Sequence, residues 1–298
     1  MPAAAGYVGR FAPSPTGDLH FGSLVAAIVS YCQAKANNGN WLVRIEDVDE
    51  TRVVTGAAEQ IIKTLKNFGM ESDGPIIYQT APSRQAAYQQ AFQQLQQQEL
   101  IYPCSCTRAV LKDQTIYPGQ CRNHPADAKQ AHSIRLKVPD QTIEFNDLIQ
   151  GQQQQNLKQH CGDFNIKRKD GLFAYQLAVV VDDADQGITE VVRGIDIMDS
   201  TPRQIYLNQI LHLNQPQYAH FPVVVNSDGN KLSKQNHAKA ISNDDPFATT
   251  QKVLAMLGQK IPILTTRSQS ELLNFAINNW NIDPLKEKAK ISVSTSNL

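Results

Sequence analysis

Apolar positions change their period several times along this chain, and each change predicts an element. Residues 7–11 form a short β-type run, after which Leu24, Ile28 and Tyr31 fall on one helical face and Gly39 supplies a stop. Residues 41–45 predict a second strand. Ile61, Ile62, Leu65 and Phe68 mark a second helix ended by Gly69, and residues 76–78 a third strand. Ser83 is a candidate N-cap for a helix carrying Tyr88, Phe92 and Leu95, whose other face is mostly glutamine and reads as a neutral solvated surface. This βαβαβ rhythm predicts a parallel sheet with helices on both sides.

The rhythm breaks between Ile101 and about residue 170. Cysteines, turn residues, short strand-like runs at 134–138 and 164–167 and a glutamine cluster at 152–155 suggest an insertion with its own small fold. Regular patterning returns over 172–181, with a strand at 189–192, a helix opening at Ser200-Thr201-Pro202 and a last strand of the main sheet at 221–225. Two further helix patterns open at Asp245-Pro246 and at the capping box Ser268-x-x-Glu271. The expected organisation is α/β: a Rossmann-type parallel-sheet catalytic domain in two halves (1–100 and 171–240), an inserted subdomain (101–170) and a short helical C-terminal region (241–298). No internal repeat is visible.

Composition narrows this only slightly. The 28 basic and 28 acidic side chains cancel, so a nucleic-acid partner would have to be met by a local basic patch. No apolar run approaches the roughly 18 residues of a membrane span, and the first residues lack a signal peptide's basic and apolar regions. Five cysteines at uneven spacing fit a reducing compartment better than a disulfide framework. The expectation is a cytoplasmic protein without membrane contact, and a monomer.

The candidate chemistry lies in two segments. The first strand runs into Arg10-Phe11-Ala12-Pro13-Ser14-Pro15-Thr16-Gly17-Asp18-Leu19-His20-Phe21-Gly22-Ser23. A strand passing through such a turn into a helix places backbone N–H groups and the helix dipole at the sheet's carboxyl edge, where anions bind. Some 200 residues later, Lys231-Leu232-Ser233-Lys234 follows the turn Asn226-Ser227-Asp228-Gly229-Asn230, and two lysines there can reach phosphate oxygens as mobile point charges. A His-x-Gly at the first helix paired with this lysine segment reads as one phosphate-binding device.

On these residues the chain resembles the class I aminoacyl-tRNA synthetases, and the string RFAPSPTGDLHFGS resembles their glutamyl branch. Three further blocks agree: Arg44-Ile45-Glu46-Asp47-Val48-Asp49, Tyr175-Gln176-Leu177-Ala178 running into Val181-Asp182-Asp183, and Gly187-Ile188-Thr189-Glu190-Val191-Val192-Arg193-Gly194. Two positions depart from the signatures, Ser23 in place of a second histidine and Gln235 in place of a final serine; the branch is loose at both. The 64 residues after Lys234 are too few for the helical anticodon-binding region of full-length glutamyl-tRNA synthetases. The expectation is therefore the truncated branch, the glutamyl-Q tRNA(Asp) synthetases, which attach glutamate to the queuosine base in the anticodon of tRNA(Asp). Acylation of a tRNA 3′ end, nucleotidyl transfer to a small acid without RNA, and a non-enzymatic paralogue are the alternatives.

The resemblance implies residue roles. ATP would be met by His20, Gly22, Ser23, Lys231 and Lys234, with His20, Lys231 and Lys234 catalytic and Mg2+ bridging the β- and γ-oxygens. Glutamate would be met by the Arg10 to Ser14 segment (Arg10, Phe11, Ala12, Pro13, Ser14), Glu46, Tyr175 and Arg193, with Arg10 and Arg193 as cations, Glu46 accepting from the ammonium, and Ser14 and Tyr175 giving hydroxyl hydrogen bonds. Asp47, Asp49, Asp182 and Asp183 are left as loop or supporting acids. Cys104, Cys106 and Cys121 suit a structural zinc ion that needs a fourth ligand. Spacing points to His124; the family pattern uses Tyr117 and is followed, with His124 as the alternative. Cys32 reads as a small buried hydrophobe and Cys161 carries no signal. Arg108, Lys112, Arg122, Arg135 and Lys167-Arg168-Lys169 are basic residues able to track phosphates, none of them assigned.

Overall fold

The computed structural model describes residues 6–107, 109–112, 114–127, 129–225, 244–263 and 267–292. The first half alternates as its pattern demands: β1 (Val8–Phe11), α1 (Phe21–Ala36), β2 (Asn40–Ile45), α2 (Ala57–Asn67), β3 (Ile77–Tyr78) and α3 (Pro82–Gln97). β1, β2 and β3 pair in that order and in parallel. Gly69 ends α2 at φ +77° as expected, but Gly39 does not stop α1. Asn38 takes the left-handed conformation instead, and Gly39 is needed because a Cβ there would sit 2.5 Å from the Tyr7 carbonyl oxygen. Ser83 is not a cap either: Ala81 precedes the helix and Pro82 occupies its first turn.

The next segment contains β4 (Ile101–Cys104), α4 (Gln120–Asn123), β5 (Ser133–Leu136), β6 (Thr142–Asp147), β7 (Gly151–Asn156), α5 (Leu157–His160) and β8 (Phe164–Lys167). It divides between two sheets. β4, β5 and β8 form a small antiparallel sheet, whereas the β6–β7 hairpin joins the second half of the main fold. The glutamine cluster is the edge strand β7, facing β6 residue for residue.

The chain then continues through α6 (Tyr175–Asp185), β9 (Glu190–Gly194), α7 (Thr201–Leu211), β10 (Gln217–Phe221), β11 (Val223–Val225), α8 (Pro246–Met256), α9 (Gln269–Asn278) and β12 (Lys290–Ser292). The order β7-β6-β10-β9 is parallel between β9, β10 and β6. β9 lies beside β1, where the Thr189 N–H donates to the Val8 carbonyl and the Val8 N–H to the Thr189 hydroxyl, both at 2.9 Å. The single strand expected at 221–225 is broken at Pro222, which has no N–H to give a ladder; β11 beyond it pairs with β12.

Trp41, Phe68, Leu24 and Ile28 are fully buried in one apolar cluster, which Leu254 of α8 and Leu272 of α9 complete. A second cluster centres on Tyr88, Leu95, Leu177 and Leu207. The C-terminal helices therefore share the core of the first half. Asp245 and Ser268 cap them, accepting from the Ala248 and Glu271 N–H groups. Among the described residues no helix is long and apolar enough to cross a membrane.

Candidate active site

At the carboxyl ends of β1 and β9 lies a cavity of about 490 Å3. The loop leaving β1 forms one wall with Phe11, Ala12, Pro13 and Ser14, and the start of α1 another with His20, Gly22 and Ser23. Arg10, Glu46, Tyr175 and Arg193 complete it from β1, the end of β2, the first turn of α6 and β9. Every described residue expected to meet ATP or glutamate thus lines one space. Lys231 and Lys234 lie outside the described residues.

Local geometry explains the convergence. The Pro13 carbonyl accepts from the Glu46 N–H at 2.9 Å and the Pro15 carbonyl from the Val54 N–H at 2.9 Å, which moors the loop to the chain following β2. Gly17, at φ +134°, turns the loop into α1. His20 sits in extended conformation at the N-cap, and neither of its buried ring nitrogens has a hydrogen-bond partner among the described residues. A partnerless imidazole at the positive end of a 16-residue helix suits an anionic oxygen.

Charge is organised behind the cavity wall. Arg10, 4% exposed, donates through Nε and Nη2 to the two carboxylate oxygens of Asp183, at 3.1 and 3.3 Å. The fully buried Arg44 reaches Asp183 at 2.8 Å, Glu46 at 3.4 Å and Asp182 at 3.5 Å. Asp182 also accepts from Arg84, Tyr88 and Gln79. Burial pushes the Asp183 carboxyl up, but the Arg10 and Arg44 guanidiniums outweigh it and hold the group below its ordinary range. Glu46 behaves oppositely: burial raises it, and Arg44 and Arg10 only partly compensate. Asp182 and Asp183, two of the four aspartates left as loop or supporting acids, are therefore the buried counter-charges of the site, on the inward face of α6. Arg44 was visible only as a member of the Arg44-Ile45-Glu46 block.

Arg193, 5% exposed, is held on three sides. Its Nε donates to His220 Nε2 at 3.0 Å, Nη1 to Gln204 at 2.8 Å and Nη2 to the Thr201 hydroxyl at 2.8 Å. The sequence marked only Thr201, and that as part of a helix opening; His220 and Gln204 lie within an ordinary strand and helix and carried no signal.

A second constellation lies in the small antiparallel sheet. The Cys104, Cys106 and Cys121 sulfurs lie within 4.8 Å of one another. The Tyr117 hydroxyl is 3.4 Å from Cys104 Sγ and 3.7 Å from Cys106 Sγ, and accepts from the Cys121 N–H at 3.0 Å. Tetrahedral zinc implies sulfur–sulfur separations of about 3.8 Å and sulfur–oxygen separations of about 3.5 Å; Cys106 and Cys121 are 3.5 Å apart. His124 is exposed at the end of α4 and outside this group. Arg135 donates to Cys104 Sγ at 3.2 Å and stacks 3.7 Å over the Tyr117 ring, a cation beside groups that would have to become anionic to hold a metal ion. Burial and the neighbouring thiols hold the Tyr117 phenol up, so only a bound cation would favour its phenolate.

Basic residues able to track phosphates are mostly engaged in the fold. Arg122 pairs with Asp163, Arg135 with the cysteine cluster, and Arg168 with Asp49 and Asp170. Arg108 lies outside the described residues.

Comparison with known proteins agrees with this geometry. The sequence model of the family "tRNA synthetases class I (E and Q), catalytic domain" matches residues 7–269. A glutamyl-Q tRNA(Asp) synthetase from Thiobacillus denitrificans is 48% identical over 291 residues, covering 95% of both chains. Another from Pseudomonas aeruginosa is 47% identical over 277 residues, covering 92% of this chain and 94% of that one. Among solved structures, a glutamate tRNA ligase from Elizabethkingia meningosepticum, crystallised in complex with its amino acid, superposes with a TM-score of 0.82 at 25% identity, over 98% of this chain and 68% of that one. With the family's pattern over most of its length and such identity along nearly all of it, the chain belongs to the class I (E and Q) tRNA synthetases, in the branch of the glutamyl-Q tRNA(Asp) synthetases.

Proposed function

We propose that this protein activates L-glutamate with ATP and transfers it to the queuosine base in the anticodon of tRNA(Asp). The observation that carries the reading is the convergence of Arg10, Ser14, His20, Glu46, Tyr175 and Arg193 on one cavity from separate elements and loops. It combines two cations and a carboxylate suited to an amino acid with a helix N-terminus suited to phosphate.

In the first step the glutamate α-carboxylate attacks the α-phosphorus of ATP. A C–O–P bond forms, the bond to the β-phosphate oxygen breaks, and pyrophosphate leaves with that electron pair. The attacking group is already an anion, so no general base is required, and rate comes from alignment and charge stabilisation. His20 donates to phosphate oxygen at the head of α1, with Gly22 and Ser23 beside it; Lys231 and Lys234 take the same role from the lysine motif. Mg2+ bound with ATP would supply further positive charge to the phosphates.

Glu46 accepts from the substrate ammonium, while Arg10 and Arg193 are the carboxylate-binding cations. Phe11, Ala12 and Pro13 shape the wall, and Ser14 and Tyr175 add hydroxyl contacts. In the second step the acceptor on the modified base attacks the adenylate carbonyl and AMP leaves. Cys104, Cys106, Cys121 and Tyr117 would hold a structural zinc ion that fixes the small sheet; their sulfur and oxygen spacings support this set.

The test is incubation with ATP and labelled glutamate in the presence of tRNA(Asp) carrying or lacking queuosine. Label is expected on the queuosine-bearing RNA alone. Label on the 3′ end of a glutamate-specific tRNA, or no glutamate-dependent pyrophosphate exchange, overturns the reading.

A further inference from the structure

His220 is a buried titratable side chain that the proposed chemistry does not use, yet it touches the arginine assigned to glutamate. An arginine has five N–H donors and no acceptor. Since Arg193 Nε can only donate to His220 Nε2 at 3.0 Å, that nitrogen must carry a lone pair. The ring proton is then on Nδ1, which faces Asp147 Oδ2 at 2.6 Å. Asp147 is itself immobilised, accepting from the backbone N–H groups of His220, Ile149 and Gln150 at 2.8 to 3.2 Å.

Of the charged groups around the ring, the two arginines favour a neutral imidazole and Asp147 opposes it. Asp147 faces it from the end of β6, Arg193 from β9 and Arg10 from β1, while Tyr218 of β10 stacks on it with ring centroids 6.1 Å apart. Burial and the nearby guanidiniums outweigh Asp147 and push the imidazole below its ordinary value.

We propose that Asp147 and His220 are positioning residues for glutamate recognition: together they hold Arg193 so that its remaining N–H bonds form a preset fork for a substrate carboxylate. With Nε on His220, Nη1 on Gln204 and Nη2 on Thr201, all three nitrogens of the guanidinium are fixed, and one N–H on each Nη remains for a ligand. Two N–H bonds on the paired Nη atoms are the donors with which a guanidinium meets a carboxylate bidentately, and a side chain rich in rotamers enters binding already ordered. The β6–β7 hairpin, which joins the main sheet through Tyr218 and Asp147, thereby acquires a role at the glutamate end of the cavity.

The inference rests on Arg193 being a glutamate ligand, so its test includes Arg193→Ala. His220→Asn keeps a donor near Asp147 and removes the acceptor for Arg193; His220→Gln keeps an acceptor at the distance of Nε2. In glutamate-dependent ATP–pyrophosphate exchange by the full chain, His220→Asn should raise the KM for glutamate about tenfold, the loss of one charge-assisted hydrogen bond. His220→Gln should recover most of that affinity, and the KM for ATP should stay constant in both. Equal losses in the two variants, or parallel increases for ATP and glutamate, would show that His220 is merely part of the core. An unchanged glutamate KM in Arg193→Ala overturns the assignment of Arg193 and the inference with it; a raised one beside an unaffected His220→Asn overturns the inference alone.

Discussion

Arg10 of β1 and Asp183 of α6, 173 positions apart, meet through two hydrogen bonds of 3.1 and 3.3 Å beneath the cavity floor. The same carboxylate takes Arg44 at 2.8 Å, so one buried acid orients one candidate substrate ligand and neutralises a second guanidinium. Removing one partner of such a pair strands charge in a poorly solvated place.

Asp183→Asn should therefore cost about 3–5 kcal/mol of stability near neutral pH and weaken glutamate use more than ATP use. The pH dependence has a definite sign. A carboxyl held below its ordinary value contributes its full stabilisation above about pH 4, the unfolded value, and loses it as pH falls through the lower folded value. Thermal unfolding of wild type and variant across this range should show the gap in Tm closing on acidification. A gap independent of pH would show that the variant acts through packing alone.

Glu46 has the opposite tendency and predicts a trade-off. Because burial raises its pKa in the free protein, ionised Glu46 costs stability above its unfolded value, and Glu46→Gln should unfold at a higher temperature at neutral pH. The same variant should raise the KM for glutamate about tenfold or more, since an amide is a poorer acceptor for an ammonium. In wild type, the KM for glutamate should begin to rise on acidification at a pH above the ordinary glutamate value. Parallel measurements of Tm and KM check both halves.

The cysteine cluster can be read by metal content. Protein purified without chelator should carry about one zinc per chain, the ligand number of one tetrahedral site. Cys104→Ser should lose it, and Tyr117→Phe should weaken it at least tenfold in competition with a chromogenic chelator. His124→Ala should leave it unchanged. Zinc retained by Tyr117→Phe and lost by His124→Ala would reverse the assignment of the fourth ligand.

Much of this site was legible in the chain because its residues sit in compact strings. The turn from β1 into α1 is written in Pro13, Pro15 and Gly17, residue types that constrain a backbone locally, and the helix that follows fixes where His20 stands. Glu46 follows β2 and Arg193 lies near the end of β9, which runs beside β1; carboxyl ends of strands are where a βαβ rhythm places ligand sites, so their meeting follows from it. Other expectations failed where a local signal met a distant constraint. Gly39 looked like a helix stop, but the approach of Tyr7 explains it, and 221–225 looked like one strand until Pro222 divided it between two partners.

What the sequence determined by itself is the α/β class, the family and eleven of the residues facing the cavity, since periodicity and contiguous motifs encode these locally. Only the tertiary structure decided what holds those residues still. Asp183 under Arg10, and His220 and Asp147 behind Arg193, are partnerships between separate elements. The reason is physical: a buried charge needs a counter-charge or a hydrogen bond within a few ångströms, and any chain segment brought near by folding can supply it.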